Sequence, residues 1–427
     1  MQKILLFIAS LFYFNFLFSK NEIKSWQGIH ETPLSRLEQQ FAEPPVEFAN
    51  HVIWGWEGKM DKKTICNDLD SIKKKGFRAV IFEAGYKLPF KYLSEEWFKA
   101  IRTGVVEAKK RDMKVWIIDE GKYPSGFAGG KFSQERPDLR MQALVIGDTI
   151  QIKRGEVMTN HKIAPEIISA VAVSTSGAPN RTVEINNGKI SFNAGLDDWK
   201  ILLVKSDFRT AVTRAVNNPN GGKDATNSLC DYLNPVAVQQ FIDWTHKQYK
   251  KYLGKELGTT VLGFRGDEPD YAHLPWTPSI VQTFKDTKGY DPTPYLASFF
   301  TASPTIQEQR VKADYWDVWS SLFATHFFKL QADWCAANGV AHITHLNKEH
   351  EMPACVKAEG DYFRALSKVQ IPGVDAIWNQ IWPSTLNDFP KLASSVAHVY
   401  GKPRAFSESF AAYHISPTIP QAKFVVD

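Results

Sequence analysis

Several features that would place this sequence in other classes of protein are missing from it. Its 427 residues contain only four cysteines, Cys66, Cys230, Cys335 and Cys355, which lie far apart and lack metal-motif spacing. The net charge is +5, but the basic residues form no long run, so nothing indicates a nucleic-acid partner. The sequence therefore predicts neither a cysteine-based metal motif nor a nucleic-acid-binding protein.

The sequence also lacks an apolar run long enough for a typical spanning helix. Lys3 is followed by an apolar run from Ile4 to about Phe18, with Ser19 near a cleavage point. A spanning helix needs about 20 apolar residues, so a single membrane anchor is the weaker alternative. No cysteine follows the run, which argues against a lipoprotein. We expect residues 1–19 to be a signal peptide and the mature protein to be secreted or periplasmic.

Apolar and aromatic residues, in contrast, are plentiful. Hydrophobic residues make up 44% of the chain, which includes 13 Trp and 14 Tyr. Such a chain can bury a large core, and exposed aromatic rings in a secreted protein are the usual platform for sugar rings. Ordinary core packing is the alternative role for these rings. The composition predicts a globular protein and is compatible with a carbohydrate partner.

A repeated unit of apolar strand, polar loop and helix predicts an α/β fold with parallel strands. Seven segments follow this rhythm: HVIWGW, RAVIFEAG, KVWIIDEG, TVLGFRGDEP, VAHITHL, VDAIWNQIW and RAFSESFAAY. A (β/α)8-type TIM barrel needs eight strands to close, so we expect the barrel to be incomplete at its C-terminus, in a fragment of a longer protein. An open doubly wound sheet is the alternative, but no Gly-rich phosphate turn follows the first strand.

The rhythm changes between the third and fourth of these strands. The segments QALVIGDTIQI, SAVAVS, RTVEINNGKISF and WKILLVK are typical of short β-strands, with Asn-Asn-Gly as a hairpin turn. We therefore predict a small inserted β subdomain over residues 141–226. Residues 20–49 would be a lead-in segment, and the barrel would be built from residues 50–140 and 227–427.

Polar residues end each predicted barrel strand. In TIM barrels the active site lies at the C-terminal ends of the strands, because the loops there can vary while the barrel stays packed. The strand-end residues are Trp54, Trp56, Glu57, Glu83, Asp119, Glu120, Arg265, Asp267, Glu268, His342, His345, Asn347, Trp378, Asn379, Ser407 and Glu408. Carboxylates, amides, imidazoles and indoles around one opening suit a carbohydrate ligand.

Several sequence blocks resemble the catalytic barrel of glycoside hydrolase family 106, the α-L-rhamnosidases and their relatives. They include HVIWGWEG, GKYPSGFAGG, GFRGDEPDY, EGDYF, IPGVDAIW and SESF, and the resemblance runs from about Asn50 to Tyr413. The most specific pieces are Tyr123-Pro124-Ser125-Gly126 and the segment 371–375. Members of this family usually carry β-rich domains after the barrel, so the resemblance implies further C-terminal β domains in the full-length protein.

Glu268 and Glu408 are the predicted catalytic pair. Cleavage of a glycosidic bond needs one carboxylic acid to protonate the leaving oxygen and one carboxylate to act at the anomeric centre. Glu268 ends the fourth strand directly before Pro269, and Glu408 ends the seventh strand between two serines. The resemblance implies that they are the general acid and general base of an inverting enzyme. Salt bridges to arginines such as Arg265 are the alternative role for either glutamate.

The remaining predicted site residues bind substrate or metal. The substrate-binding candidates are Trp54, Trp56, Glu120, Tyr123, Asp267, His345, Trp378 and Asn379. The resemblance also implies calcium near the sugar, for which oxygen could come from Glu83, Asp119, Glu120, Asp267 and Glu359. His342 and His345 are spaced to lie on opposite faces of a strand, which favours one substrate-facing histidine over a metal pair.

These observations favour an exported glycoside hydrolase. It would cleave terminal α-L-rhamnosyl or similar sugars from a polysaccharide by an inverting acid/base mechanism. One alternative is a retaining β-glycosidase on a TIM barrel, in which the two carboxyl groups would lie closer together, at about 5 Å rather than 6.5–9.5 Å. The other alternative is a non-catalytic sugar-binding protein.

Overall fold

The computed structural model describes most of the chain after residue 32. The described residues are 33–43, 45, 50–121, 123–210, 213–214, 223–224, 228–269, 271, 274–377, 380–381, 388–411 and 417–426. The predicted signal peptide at 1–19 lies outside this range. The chain divides into two units, Met1–Phe48 and Ala49–Asp427. Within the described part, no helix is both long enough and apolar enough to cross a bilayer.

The strands are numbered in chain order. They are β1 (His51–Trp56), β2 (Ala79–Ala84), β3 (Lys114–Ile118), β4 (Gln142–Ile152), β5 (Val157–Lys162), β6 (Ile167–Ser174), β7 (Arg181–Thr182), β8 (Lys189–Asn193), β9 (Trp199–Phe208), β10 (Thr213–Arg214), β11 (Lys223–Asp224), β12 (Val261–Arg265), β13 (Pro275–Trp276), β14 (Ala341–Thr344), β15 (Ile371–Ala376) and β16 (Phe406–Ser409).

The α-helices are numbered in the same way. The N-terminal unit contains α1 (Leu34–Ala42). The second unit contains α2 (Lys62–Lys74), α3 (Glu95–Lys110), α4 (Lys131–Glu135), α5 (Pro235–Trp244), α6 (His246–Leu253), α7 (Ile280–Lys288), α8 (Ile306–Leu322), α9 (Lys329–Ala337), α10 (Met352–Glu359), α11 (Tyr362–Leu366), α12 (Lys391–Val399) and α13 (Ile419–Val426).

A seven-stranded parallel sheet forms the centre of the second unit. Its order is β1-β2-β3-β12-β14-β15-β16, and every pair of neighbours is parallel. The sheet is curled, because Arg265 on β12 contacts Glu408 on β16, which would lie about 14 Å away on a flat sheet. This confirms the prediction of an α/β fold with seven parallel strands.

The middle strands of this sheet are buried on both faces. All five residues of β12 are buried, and β2 and β3 each have only one residue that is not fully buried. Gly263 allows β12 and β14 to approach closely, because a Cβ atom there would lie 1.9 Å from the Ala341 carbonyl oxygen. Such strands carry continuous apolar sequence, as parallel sheets covered by helices do.

The apolar periodicity of the sequence predicts helices over residues 62–75 and 94–111, and α2 and α3 lie there. The Asp61 side chain caps α2 by accepting a hydrogen bond from the Thr64 amide, and Ser94 caps α3 in the same way. The same periodicity predicts one helix over residues 235–253, but the structure has two, because Thr245 has non-helical dihedrals (φ −111°, ψ −87°). It also predicts one long helix around residues 311–338, where the structure has a π-helical stretch, Phe323–Phe328, between α8 and α9.

The chain between β3 and α5 forms most of the antiparallel sheets, and one further strand, β13, comes from residues after α5. One sheet has the order β13-β4-β9-β6-β7, and β5 pairs with β8. Asn187 and Gly188 both have positive φ and connect Asn186 to Lys189, as a two-residue hairpin turn requires. Strand β13 comes from a later part of the chain and was not predicted from the sequence, which has too few residues there to show an alternating pattern.

Candidate active site

Arg265 occupies the centre of the curled sheet, at the end of β12. Its side chain is only 2% exposed, and its Nη2 donates to Glu408 Oε2 from β16. The same nitrogen lies 3.1 Å from His345 Nε2 and 3.7 Å from Asp267 Oδ1. A buried guanidinium needs negative partners, and the two carboxylates supply them. Arg265 therefore joins the ends of β12, β14 and β16.

His345 lies among three carboxylates at the end of β14. Its Nε2 is 3.3 Å from both Asp267 Oδ1 and Glu408 Oε2, and its Nδ1 is 3.6 Å from Glu349 Oε1. Burial would lower the pKa of His345, but hydrogen bonds to Asp267, Glu349 and Glu408 outweigh burial and raise that pKa well above its usual value. The imidazole therefore carries a positive charge in this cluster.

Glu268 and Asp375 form a second pair of acids beside the same imidazole. Their carboxyl groups are hydrogen-bonded to each other, and their oxygens and a His345 ring nitrogen lie within 4.8 Å of one another. Burial, with the charges of Asp267 and Asp375, raises the pKa of Glu268 to about 9, although His345 opposes this shift. Burial likewise raises the pKa of Asp375 to about 6. Two acids this close hold one proton between them near neutral pH.

Glu408 has the opposite electrostatic environment. Burial acts to raise its pKa, but the charges of Arg265 and His345 prevail and lower it to about 2. The register of the sheet pairs Glu408 with Asp375 on adjacent strands, so both carboxylates face the same interior. The site therefore contains a protonated acid, Glu268, and an ionised carboxylate, Glu408, both close to the imidazole of His345.

The backbone of Glu268 is in an uncommon conformation. Its φ is 39°, in the left-handed region that residues with a Cβ seldom adopt. Pro269 follows directly and fixes the chain after it. Strained backbone at such a position is typical of functional sites, where surrounding contacts impose a side-chain direction.

The segment 123–126 connects the ends of β3 and β12. Ser125 Oγ donates to Asp119 Oδ1 (2.7 Å) and accepts from the Asp267 amide (2.7 Å), while the Ser125 amide donates to the Asp267 carbonyl (2.9 Å). The half-buried Tyr123 accepts a hydrogen bond from Asn347 Nδ2 (3.0 Å) in the loop after β14. Tyr123 and Asp267 therefore lie at the predicted end of the sheet.

Glu120, a predicted substrate-binding residue, is buried and hydrogen-bonded to the loop after β3. It is 1% exposed, and its carboxylate accepts hydrogen bonds from the amides of Gly121, Ala128 and Gly129. Burial raises its pKa to about 8. The carboxyl group of Glu120 thus connects the end of β3 to the loop that follows it.

Trp54 and Trp56 also differ from their prediction as substrate-binding residues. They lie two residues apart on β1 and therefore on one face, which packs against Phe82 with ring centroids 5.5 and 5.0 Å away. Trp56 is fully buried and also contacts Trp97 of α3. This face is covered by helices, so both rings belong to the core between sheet and helices rather than to the strand-end site.

The structure does not gather the predicted calcium ligands. Among the described residues, the clusters with metal-ligand spacing contain none of Glu83, Asp119, Glu120 and Glu359. Asp267 clusters instead with His345 and Glu408, beside the guanidinium of Arg265. Calcium prefers six to eight oxygen ligands, and an adjacent guanidinium and imidazole do not suit it. Calcium binding stays a prediction from the resemblance, and no chemical step is assigned to it.

Some predicted site residues fall elsewhere or outside the described part. Trp378 and Asn379 lie outside the described residues. His342 points into the core on the face opposite to His345, as the spacing of the two histidines indicated.

The sequence did not predict Asp375 and Glu349 as members of the site. Asp375 could have been found because it is a charged residue near the end of the apolar strand β15, the kind of position from which the other site residues were predicted. Glu349 lies in a loop without a distinguishing pattern.

The fold and the site together define a class of protein. Acids with separated pKa values at the C-terminal ends of parallel strands are the arrangement that glycoside hydrolases use. The family model described as alpha-L-rhamnosidase, glycoside hydrolase family 106, matches residues 163–422, which is more than half of the chain. The chain belongs to this family.

Two individual proteins show the extent of the similarity. A curated protein of Formosa agariphila named "Putative beta-glucuronidase" is 23% identical over an alignment 433 positions long, which covers 88% of this chain and 35% of that protein. The solved structure of a rhamnosidase from Novosphingobium sp. PP1Y has a TM-score of 0.65 at 15% identity and shares the fold. The match covers 91% of this chain and 54% of that rhamnosidase. The chain thus spans about a third of the first relative and about half of the second.

Proposed function

We propose that this chain is the catalytic part of an exported glycoside hydrolase that removes terminal α-L-rhamnosyl or similar sugars from a polysaccharide. The observation that carries this proposal is the arrangement of two carboxyl groups beside the buried imidazole of His345, with Glu268 hydrogen-bonded to Asp375 and Glu408 paired with Arg265. This arrangement raises the pKa of Glu268 and lowers that of Glu408. The sugar is assigned from the family, whose description is alpha-L-rhamnosidase.

In the proposed reaction Glu268 is the general acid. Its burial and the neighbouring carboxyl of Asp375 keep it protonated at neutral pH, so it can donate its proton to the leaving glycosidic oxygen. After each turnover Glu268 would take a proton from solvent and Glu408 would release to solvent the proton it took from water, while the hydrogen bond to Asp375 favours the protonated form of Glu268. The left-handed backbone of Glu268 supports a fixed direction for this donation.

Glu408 is the proposed general base. The charges of Arg265 and His345 keep its carboxylate ionised, so it can accept a proton from a water molecule while the oxygen of that water attacks the anomeric carbon. The products are the free sugar, with inverted configuration, and the alcohol that received the proton of Glu268. Arg265 and His345 position the carboxylate and do not exchange protons with the sugar.

We propose export, an inserted β subdomain, further C-terminal domains and calcium binding for the same protein. Export rests on the apolar segment after Lys3, and an inserted β subdomain rests on the antiparallel strands β4 to β9. Further C-terminal domains are supported by the greater length of both relatives. Calcium is supported by the family resemblance alone.

A panel of aryl glycosides tests the proposal directly. Proton NMR of the first sugar released from p-nitrophenyl α-L-rhamnoside should show inverted anomeric configuration, and β-glucuronide and β-glucoside arms should be cleaved much more slowly. A retained configuration would overturn the inverting mechanism, and rapid cleavage of the glucuronide would overturn the sugar assignment. If no glycoside is cleaved while calorimetry detects rhamnose binding, a sugar-binding protein is the correct function. The assay should include both this chain and a version extended through the C-terminal domains.

A further inference from the structure

Three buried side chains that the proposed reaction does not use meet between the sheet and its helices. They are His246 at the start of α6, Cys335 on α9 and His342 on β14. Their exposures are 0%, 0% and 1%, and one donor atom from each lies within 4.8 Å of the other two. Two imidazoles and a thiol in this arrangement form a set of soft and borderline metal ligands.

The imidazoles of this cluster have unsatisfied nitrogens. Nε2 of His246 and both ring nitrogens of His342 have no hydrogen-bond partner in the described part of the chain. Buried polar atoms are almost always paired, because they lose their hydrogen bonds to water on folding. A ligand between the two imidazoles that is not one of the described side chains could satisfy Nε2 of His246 and one ring nitrogen of His342 together.

The protonation of His246 is fixed by its neighbours. The Thr245 hydroxyl donates its hydrogen to the Phe241 carbonyl (2.7 Å), so Thr245 Oγ1 can only accept from His246 Nδ1 (2.9 Å). In a neutral imidazole the proton is then on Nδ1, which leaves on Nε2 a lone pair without a hydrogen-bond partner among the described residues. Metal-binding histidines are commonly held in this way, with the second nitrogen donating to an oxygen.

We propose that His246, Cys335 and His342 bind one thiophilic d10 metal ion, with Cu⁺ favoured over Zn²⁺. Three donors match the trigonal coordination that Cu⁺ accepts, whereas structural Zn²⁺ sites almost always have four ligands. A Cu⁺ ion and one thiolate carry no net charge, while Zn²⁺ would leave a positive charge in an apolar environment. The ring of His246 packs against Phe264 and Trp334, with centroids 4.2 and 5.3 Å away.

Binding requires a small movement and the loss of one proton. Metal bonds of about 2.0 Å to nitrogen and 2.3 Å to sulfur place the donors about 3.5 Å apart, so the cluster would close by about 1 Å. The Cys335 thiol gives up its proton to solvent as the sulfur–metal bond forms, and the two neutral imidazoles bind without losing a proton. Because the cluster is closed to solvent, the ion would enter while the chain folds.

A bound ion would connect β14 to two helices. His345, which lies directly after β14, belongs to the active site, so the ion would hold the strand that carries this imidazole. Any ligand that binds only the folded state also raises the melting temperature. The site is independent of the proposed reaction, and its test needs no activity measurement.

The test uses protein produced in cells grown with added copper or zinc and purified in the presence of EDTA. Elemental analysis should find close to one copper per chain, and X-ray absorption should show one sulfur at about 2.2–2.3 Å and two nitrogens at about 2.0 Å. These wild-type measurements do not depend on whether a variant folds. Protein with no metal from either medium would overturn the proposal, and zinc without copper would overturn the preference for Cu⁺.

A matched pair of variants tests the ligand assignment. Cys335→Ser should lower the bound copper by at least tenfold, whereas Cys355→Ser, at an equally buried cysteine outside the cluster, should keep it. Copper retained by Cys335→Ser would show that the metal binds elsewhere and would overturn the assignment.

Discussion

The guanidinium of Arg265 forms an ion pair with the carboxylate of Glu408, although two other strands lie between β12 and β16 in the sheet. The sequence offered this ion pair and a catalytic role as alternatives for Glu408. In the structure the pair lowers the pKa of Glu408 and keeps the carboxylate ionised, so the ion pair supports the proposed role as general base.

Removal of the charge of Arg265 should shift the acidic limb of the pH profile. Arg265→Met leaves Glu408 with only His345 as a positive partner, so the pKa of Glu408 should rise by about one unit or more. Activity, which needs the ionised base, should then be lost at a higher pH than in the wild type. The measurement is kcat/KM against pH on an aryl rhamnoside. An equal loss of activity at every pH, without movement of the limb, would contradict this prediction.

Glu268→Gln should affect substrates according to their leaving groups. General acids contribute about 10²- to 10⁴-fold to rates, and this contribution is needed most when the leaving alcohol is a poor one. We expect kcat/KM to fall by about 10²- to 10⁴-fold for a substrate with an alkyl or sugar leaving group. For a substrate with an activated dinitrophenyl group, kcat/KM should fall much less. Steady-state kinetics on both substrates provide the comparison, and the activated substrate is the internal control. Equal losses would exclude Glu268 as the proton donor.

Asp375→Asn should move the alkaline limb to lower pH. The hydrogen bond and negative charge of Asp375 both raise the pKa of Glu268, which is about 9 in the intact site. Without that charge Glu268 loses its proton more readily, so activity should decline at a lower pH than in the wild type. The pH dependence of kcat/KM between pH 6 and 10 measures this shift, at roughly one unit or more. An unchanged limb would show that Asp375 does not influence the proton of Glu268.

Glu120→Ala should lower stability through the loop after β3. The change removes the acceptor for the amides of Gly121, Ala128 and Gly129, and the two buried amides, those of Gly121 and Ala128, would then cost roughly 1–3 kcal/mol each. Thermal unfolding should therefore begin at a lower temperature, and Glu120→Gln should lose less because it keeps one acceptor oxygen. An unchanged melting temperature with a raised KM would restore the predicted substrate-binding role.

Asp231→Asn should change how stability depends on pH. Burial raises the pKa of Asp231 to about 7, above its usual value of 3.8, despite hydrogen bonds from Thr277 and the Leu233 amide. The folded state therefore holds a proton that the unfolded state releases, and stability falls as pH rises from about 4 to about 7. The variant cannot ionise, so it should gain stability relative to the wild type across this window, by up to a few kcal/mol.

Urea unfolding at pH 4.5 and pH 7.5 measures this difference. The exposed Asp286→Asn is the matched control and should show the same change with pH as the wild type. A difference between Asp231→Asn and wild type that stays constant over the two pH values would contradict the assigned pKa.

The predictable part of the site was the set of strand ends. Apolar runs and the polar residues that stop them located β12, β14 and β16 and placed Glu268, His345 and Glu408 at their ends. The direction of each side chain was less predictable. Where both faces of a strand are buried, apolar residues occupy both, and the alternation that would identify the inner face disappears. Trp54 and Trp56 were therefore assigned to the site, while Asp375 was not.

The sequence by itself determined the alternation of strands and helices, the seven parallel strands and the positions at which polar residues interrupt them, because these depend on local apolar periodicity. Only the tertiary structure decided that Arg265 meets Glu408, that Glu268 and Asp375 hold one proton, and that Glu120 holds a loop. Those contacts depend on the curl of the sheet and on loop geometry. These contacts bring together residues that are far apart in the chain. The opposite pKa shifts of Glu268 and Glu408 come from burial and neighbouring charges that no local sequence pattern encodes.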